Sequence, residues 1–389
     1  MQVKENIQIR PFDATYSVLQ IDENRHLLIN QATTELVHIL SATTSLDAAH
    51  KVFNRSFDQT ISMQSFRDLV DEKLGGYQII REDAVPEKPS LKNTYLKLKI
   101  PLLNARVARF LSIPLQPFFK PFVFWLSLGV MTVFLLGMAI GFDSPSVNQV
   151  NYLTLMSLIY PTMLIHELGH IAACAKYKLK PGGIGFGFYF ILPVMYAEIT
   201  NIWMGTKEQR IIANLGGIFA EVLYAVILSI VYLYSHSTVC LFASLSISVF
   251  VLWEFNPFVR FDGYWLLSDL TNTPNLLLKS KQVVAKVMRR TFLQAWRKNN
   301  FKINASRREI LLFAYGFMNT LFILLILSYT LISYQTEIIR FPFSLYQILV
   351  KVGQLNLHIR DLHVQLIHIL LFYILAIRFL ISQIKSLIR

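Results

Sequence analysis

Two histidines and a glutamate lie in a long apolar stretch of the chain, and their types and spacing could bind a catalytic metal ion. His166 and His170 are four residues apart, so on a helix they share one face about a turn apart. Two neutral imidazoles placed in this way can hold one Zn²⁺, and Glu167 beside them can act as the general base toward water. Ionisable side chains are costly inside a bilayer, so this position favours a catalytic function over a purely structural one.

A catalytic zinc ion needs a third protein ligand and one open position for water. Glu198 is the first acidic residue after the two histidines, but a stretch rich in proline and glycine separates it from them. Asp262 is the better candidate, because Gly263 follows it and allows a tight turn with a close approach of the backbone. We therefore expect Asp262 to be the third ligand.

Six apolar blocks of the chain approach or exceed the ~20 residues that cross a hydrocarbon core of about 30 Å. The chain is 54% hydrophobic, and this content is gathered in the blocks. The pattern predicts a mainly α, polytopic membrane protein with about six transmembrane helices. If these helices alternate in direction, the second and fourth bring the two histidines and Asp262 to similar depth from the same side. The blocks are residues 121–142, 151–175, 211–234, 238–258, 309–333 and 364–381.

The net charge of +13 follows the predicted topology and does not indicate a nucleic-acid partner. If the N-terminus is cytoplasmic, 34 of the 37 Lys and Arg residues fall on the inner side. This distribution agrees with the positive-inside rule. It predicts a protein of the cell membrane with both termini in the cytoplasm, and it argues against nucleic-acid binding.

The first 120 residues divide into a small domain and a linker. In residues 1–82, the alternation at 7–21 and 26–30 predicts strands, and Ser62 can cap one of the helices that follow. Short strands with three helices are typical of an α+β, winged-helix-like domain. The prolines of residues 83–120 predict an ordered or extended linker rather than a helix.

Residues 182–199 are too apolar for an ordinary loop, while their glycines and Pro193 argue against a spanning helix. A membrane-associated β-hairpin fits this composition better. Its exposed edge could pair with an extended peptide by strand addition. Gly185, Phe186 and Gly187 are the candidate substrate-binding residues of this hairpin.

The chain after the candidate site contains a basic segment and then apolar helices. Residues 276–298 carry apolar positions at helical spacing and seven Lys or Arg residues, which is typical of a helix that lies on an anionic inner leaflet. An ordinary basic cytoplasmic loop is the alternative. The predicted domains after the linker are a core at 121–270, the basic amphipathic segment at 271–308 and C-terminal transmembrane helices at 309–389.

The remaining polar residues of the apolar blocks have simpler readings. The two cysteines, Cys174 and Cys240, cannot form a disulfide framework or a cysteine-rich zinc site. Cys174 follows His170 by one turn and is read as a small packing residue. Glu221 and Glu254 lie in predicted helices and are expected to hydrogen-bond neighbouring helices or to stabilise Arg260, with a catalytic role as the alternative.

The pairing of HELGH in one predicted span with N-P-x4-D-G in a later one resembles the site-2-protease class of intramembrane zinc metalloproteases. The resemblance covers roughly residues 121–270, and its longer spacing before the aspartate is similar to the peptide zinc metalloprotease branch. It implies that His166, His170 and Asp262 bind one Zn²⁺ per chain and that Glu167 is the general base. The family's Asn-Pro element helps position the substrate, which implies the same role for Asn256 and Pro257.

The glycine-containing stretch NLGGIFAE, residues 214–221, is similar to the third core helix of the same class, and residues 182–199 are similar to its membrane-associated hairpin. The order of strands and helices in residues 1–82 resembles PqqD-like peptide-recognition domains, which act with enzymes that modify ribosomally made peptides. This second resemblance rests on pattern alone. A winged-helix cap without a ligand is an alternative for the domain.

These observations predict an intramembrane zinc metalloprotease whose partners are a peptide or transmembrane-protein substrate and a bilayer with an anionic inner leaflet. Maturation of a ribosomally made precursor peptide is the favoured role. Regulated cleavage of a membrane-anchored signalling protein is the alternative within the same chemistry. A non-proteolytic export or immunity factor is the alternative of another class, and zinc-dependent hydrolysis of another bond stays open.

Overall fold

The computed structural model describes residues 2–3, 7–22, 25–75, 79–81, 96–141, 150–189, 192–297, 306–354 and 364–388. The chain divides into two compact units, Met1–Asn272 and Thr273–Arg389. Both units are mainly helical, and the described strands all belong to the first unit, where they form three small antiparallel sheets.

The first unit contains all the residues of the candidate site. Its strands are β1 Gln2–Val3, β2 Gln8–Pro11, β3 Tyr16–Asp22, β4 Arg25–Asn30, β5 Ile80–Arg81, β6 Leu96–Leu103, β7 Ile184–Tyr189 and β8 Leu192–Ala197. Its helices are α1 Gln31–Ala42, α2 Leu46–Ser56, α3 Met63–Leu74, α4 Ala105–Leu111, α5 Pro121–Ile140, α6 Tyr152–Ile159, α7 Pro161–Lys176, α8 Lys207–Asn214, α9 Gly216–Ser235, α10 Thr238–Glu254 and α11 Asp262–Leu270. Short 3-10 segments occupy Ile113–Phe119 and Thr200–Met204.

The second unit consists of helices in its described part. They are α12 Leu276–Arg297, α13 Arg307–Ser333, α14 Gln335–Gly353 and α15 Val364–Ile388. Helix α12 covers the predicted basic amphipathic segment, so that segment is helical. It packs on α13, and Lys286 Nζ lies 3.1 Å from Glu309 Oε1 at the exposed side of this pair.

Three described helices are long and apolar enough to cross a membrane, namely α5, α9 and α13. The prediction of six spans is therefore not supported for the described part of the chain. The second block is divided because α6 ends before Pro161, which begins α7 and has no N–H to donate. The fourth block ends early because α10 stops at Glu254 after 17 residues, just before Asn256-Pro257.

The N-terminal residues form a three-stranded sheet, in the order β2-β3-β4, packed against α1, α2 and α3. Each helix begins at a polar cap, and the predicted cap Ser62 accepts the backbone N–H of Ser65. The interior is apolar and independent of the candidate site, with Leu19, Phe66 and Val70 fully buried. This arrangement agrees with the α+β pattern of the sequence.

The predicted linker is partly built into the protein core. Residues 82–95 lie outside the described residues, but β6 follows them and pairs with β7, which pairs in turn with β8. The expectation that residues 83–120 contain no helix is wrong for α4, which Asn104 caps at its start. The prolines still agree with this result, because Pro101 lies in an edge strand and Pro114 and Pro117 lie in the 3-10 segment rather than in α4.

The helices that carry the candidate site pack by close contact of their backbones. A methyl group added at Gly169 of α7 would lie 2.0 Å from the carbonyl oxygen of Gly216 in α9. The same addition at Gly216 would lie 2.7 Å from the carbonyl oxygen of Gly169. The two helices therefore meet at a pair of glycines, which brings His170 directly against the start of α9.

Candidate metal centre

The structure brings the three predicted zinc ligands together at one point. His166 and His170 lie on one face of α7, and their Nε2 atoms are 3.0 Å apart. Asp262 is the first residue of α11, and its Oδ2 lies 3.2 Å from each of these two nitrogens. Glu198, the alternative third ligand, lines the same cavity but does not belong to the group of donor atoms that converge on one point.

Neighbouring oxygen atoms determine how both histidines present their rings. His170 Nδ1 lies 2.8 Å from the carbonyl oxygen of Ala213. A carbonyl oxygen can only accept, so this nitrogen carries the proton and a neutral ring presents a lone pair at Nε2. His166 Nδ1 lies 3.5 Å from Glu221 Oε1 and 3.5 Å from Glu254 Oε2, which favours the same tautomer. Oxygen partners of this kind orient the histidine ligands of metal sites.

The donor atoms fit a tetrahedral Zn²⁺ ion. Zinc bonds of about 2.0–2.1 Å to nitrogen and oxygen give a tetrahedron whose edges are roughly 3.3 Å. The three observed separations are 3.0, 3.2 and 3.2 Å, close to one face of such a tetrahedron. Among the described residues, the buried Asp262 Oδ2 has no hydrogen-bond donor. Three lone pairs therefore face one another, an arrangement that a cation between them would make favourable.

Two glycines leave the space that this arrangement requires. A methyl group added at Gly217 would lie 2.4 Å from His166 Nε2, so a larger residue would displace the imidazole. A methyl group at Gly263 would lie 2.3 Å from the carbonyl oxygen of Phe255. The predicted close approach of the backbone next to Asp262 is thus present. It folds the start of α11 back onto the end of α10.

Glu167 is buried and lies next to the three candidate ligands in a cavity of about 660 Å³. Ala197, in β8, lines the same cavity. The lining of the cavity is mostly apolar, with Met195, Trp203 and Trp265 among its residues. The candidate base therefore faces a space large enough for several residues of a peptide.

One edge of the hairpin sheet borders this cavity. Strand β8 lines it from Pro193 to Ala197. The N–H of Glu198 donates to the carbonyl of Gly183, so the backbone groups of every second residue from Glu198 backwards point to β7. The backbone groups of Pro193, Met195 and Ala197 point the other way.

The residues predicted to bind substrate lie elsewhere. Gly185, Phe186 and Gly187 are in β7, the central strand of its sheet, whose two edges are occupied by β6 and β8. The prediction that they offer a free edge is therefore wrong, because it assumed a two-stranded hairpin and missed β6. These three residues, Asn256 and Pro257 are not among the described residues that line the cavity. Asn256 Oδ1 instead accepts the N–H of Phe258, 2.9 Å away, in the turn after α10.

Glu221 and Glu254 were expected to hydrogen-bond neighbouring helices or to stabilise Arg260, but each lies 3.5 Å from His166 Nδ1. The signal that could have shown this proximity is spacing. Glu221 follows Gly217 by four residues, one helical turn, and Gly217 is the position where α9 passes over His166. Glu254 is the last residue of α10. Both carboxylates thus belong to the surroundings of the candidate ligands and not to helix packing alone.

Comparisons with known proteins give one relative of low similarity. The chain is 27% identical over 107 residues to the "Putative peptide zinc metalloprotease protein YydH" of Bacillus subtilis (strain 168). The matched stretch is 27% of this chain and 42% of that relative, so less than half of the relative is covered. No family model and no solved structure matches the chain.

Proposed function

We propose that this chain is a zinc metalloprotease of the site-2-protease type, which hydrolyses a peptide bond in a membrane-associated or ribosomally made precursor peptide. The observation that carries the proposal is the convergence of His166, His170 and Asp262 beside the buried Glu167. The name of the relative from Bacillus subtilis supports the same chemistry. The apolar helices α5, α9 and α13 support a place in a membrane.

The residues of the site have distinct tasks in this reaction. His166, His170 and Asp262 would hold Zn²⁺, which when bound polarises a carbonyl and makes water acidic enough to lose a proton near neutral pH. Glu167 takes a proton from the attacking water and later gives one to the leaving amine, so that the peptide bond is exchanged for a carboxylate and an amine. The apolar wall of the cavity excludes bulk water from this exchange.

The substrate binds in an extended conformation to the outer edge of β8, which pairs with no strand in the described part of the chain. A helix hides its carbonyl groups in its own hydrogen bonds, so a segment must be extended before its peptide bond can react. Outward-facing backbone groups of Met195 and Ala197 can pair with such a segment by strand addition. Because Glu167 and β8 line the same cavity, pairing at this edge brings the peptide next to the base.

The other partners follow from the outer parts of the chain. The N-terminal sheet and helices serve as a cytoplasmic recognition domain for the precursor peptide, which favours peptide maturation over cleavage of a signalling protein. Helix α12 lies on the anionic inner leaflet through its lysines and arginines. A bilayer is thus the second partner of the protein.

The test compares the purified wild-type protein with Glu167→Gln in detergent. The amide keeps the size of the side chain but cannot accept the proton, so we expect equal zinc per chain and no cleavage by the variant. Candidate peptides are those encoded beside the gene, followed by mass spectrometry. His166→Ala serves as the second variant and is expected to lose zinc.

Two results would contradict the proposal. Cleavage that survives Glu167→Gln would show that another residue acts as the base. A wild-type protein without zinc, whose biological effect is unchanged in the Glu167→Gln variant, would indicate a non-proteolytic export or immunity factor.

A further inference from the structure

Arg210 is the most deeply buried charged side chain in the described part of the chain, with 1% of its surface exposed. Its Nε donates to Asp269 Oδ1 at 2.6 Å, and its Nη1 donates to the carbonyl oxygen of Gly205 at 3.1 Å. The other carboxylate oxygen of Asp269 accepts Asn214 Nδ2 at 2.7 Å. Both charges are therefore fully engaged by hydrogen bonds, as a buried ion pair requires.

The ion pair connects α8 with the helix that carries the candidate ligand Asp262. Asp269 follows Asp262 by seven residues, which is about two turns, so both lie on the same face of α11. Arg210 and Asn214 lie one turn apart on α8. A displacement of α11 along or around its axis would break these bonds, so they fix the position of Asp262.

The same short helix also holds His170. The carbonyl oxygen of Ala213, next to Asn214, accepts His170 Nδ1 at 2.8 Å. Helix α8 thus contacts one candidate ligand directly and positions another through Asp269. Replacing a buried ion pair by apolar residues of similar size is often neutral or stabilising, so stability alone does not explain Arg210 and Asp269. Unlike an apolar contact, their hydrogen bonds fix the direction in which α8 and α11 meet.

The N-terminal domain covers the guanidinium of Arg210. The ring of Phe12 lies 4.3 Å from the guanidinium carbon, in the geometry of a cation–π contact. Phe12 also contacts the ring of Trp203, at 6.1 Å between centroids, and Arg10 Nη1 donates to the carbonyl oxygen of Met204 at 3.1 Å. The domain therefore rests on the segment that leads directly into α8.

We propose that Arg210 and Asp269 are positioning residues for the metal site and that the N-terminal domain acts on this site through Phe12. The inference rests on the proposed function, because it assumes that His170 and Asp262 bind zinc. Occupation or displacement of the N-terminal domain then changes the orientation of α8 and, with it, the geometry of two of the three ligands. The domain thereby regulates the protease in addition to recognising its substrate.

The test measures zinc affinity in the full-length protein, by competition with a chelator in detergent. We expect Asp269→Asn to weaken zinc binding by about 10-fold to 100-fold, the range for residues that orient metal ligands. Phe12→Leu, which keeps an apolar side chain but removes the ring, is expected to weaken it by about 3-fold to 10-fold. The absorption spectrum of Co²⁺ bound in place of zinc should shift in both variants, because it reports ligand geometry and not stability.

Two controls separate the possible failures. Gln20→Ala removes the contact with Asn201, 3.0 Å away, in the same interface but does not touch Arg210, so zinc affinity and the Co²⁺ spectrum should stay unchanged. Asp262→Ala must weaken zinc binding if the metal site is correct. If Asp262→Ala has no effect, the proposed function fails. If Asp262→Ala weakens binding while Asp269→Asn and Phe12→Leu leave affinity and spectrum unchanged, only the positioning role is overturned.

Discussion

The two helices that carry the candidate ligands are held in opposite ways. Helix α7 meets α9 at Gly169 and Gly216, where two backbones touch and no side chain intervenes. Helix α11 is held by the ion pair of Asp269 and Arg210, about two helical turns away from the candidate ligand Asp262. Contact between glycines leaves little freedom, as in helix pairs packed by small residues within membranes. A hydrogen-bonded pair fixes direction but can be released when one partner moves.

We infer from this difference that one side of the site is rigid and that the other side can be adjusted. The side formed by α7 and α9 contains two of the ligands and the candidate base, and it lies between apolar helices. The side formed by α8 and α11 contains one ligand, orients His170 through the carbonyl of Ala213, and is in contact with the N-terminal domain. The first should resist change until the fold fails, whereas the second should respond to changes in the domain.

The largest effect is expected for Gly169→Ala. Its methyl group would lie 2.0 Å from the carbonyl oxygen of Gly216, and neither backbone can yield without moving a whole helix. We expect a loss of stability of about 3 kcal/mol or more, the upper range for overpacking, with loss of zinc. Thermal unfolding in detergent measures it. Gly137→Ala in α5 is the matched control, because nothing lies within 4 Å of its added methyl group. Equal stability of the two variants would contradict the tight contact.

Gly217→Ala should impair metal binding more than it impairs the fold. The added methyl group would lie 2.4 Å from His166 Nε2 and would turn the imidazole away from the other ligands. We expect zinc affinity to fall by about 100-fold, the upper range for changes around metal ligands, while helix content stays near that of the wild type. Gly129→Ala, with open space around the added methyl group, should leave both unchanged. Full zinc affinity in Gly217→Ala would show that His166 is not a ligand.

Glu221→Gln and Glu254→Gln should have smaller and interdependent effects. Each carboxylate lies 3.5 Å from His166 Nδ1, so either one can keep the ring oriented when the other is replaced. We expect zinc affinity to fall by about 10-fold or less in each single variant. In the double variant, the loss of binding free energy should exceed the sum of the two single losses. A chelator competition series gives all four values. Strict additivity would mean that the two carboxylates act independently.

The smallest effect concerns His26, in β4 of the N-terminal domain. Burial without a hydrogen-bond partner among the described residues lowers the pKa of His26 below its usual value of 6.5. The folded domain therefore binds its proton less readily than the unfolded chain, so the stability linked to His26 is complete above pH ~6.5 and is lost as the pH falls below it.

Hydrogen exchange of residues 16–22 and 25–30 at pH 7 and pH 5.5 measures this loss. His26→Gln should reduce the acceleration of exchange at the lower pH, and His38→Gln, at an exposed position of α1, should not. Because His26 pairs across the sheet with Gln20, inside the N-terminal domain, acidification should act on this domain and spare the contact of α7 with α9.

The parts of the molecule that the sequence predicted are those determined by local spacing. The face shared by His166 and His170 follows from the helical repeat, and the break after α10 follows from Asn256-Pro257. The position of Asp262 could be predicted because a glycine follows it. The capped helices of the N-terminal domain were also accessible, since caps and apolar periodicity are local signals.

The parts that were missed depend on contacts between distant segments. Strand β6 lies about 80 residues before β7 in the chain, and its prolines indicated a linker, so β7 was taken for an edge. Arg210 was counted as one of many cytoplasmic cations, because nothing near it in the sequence shows that Phe12 and Asp269 would enclose it. Six spans were predicted because apolar content alone does not show the break that Pro161 introduces between α6 and α7.

The outer edge of β8 restricts which peptide bonds of a bound precursor can reach the candidate metal site. Pro193 has no N–H, so Met195 and Ala197 provide the backbone donors of this edge and Pro193 adds only its carbonyl. A strand can move along such an edge only in steps of two residues if the same side chains are to face the cavity. Under the proposed function, cleavage sites in one precursor should therefore be separated by even numbers of residues. A single inserted residue next to the cleavage site should block processing, whereas two inserted residues should move the cut and leave it efficient.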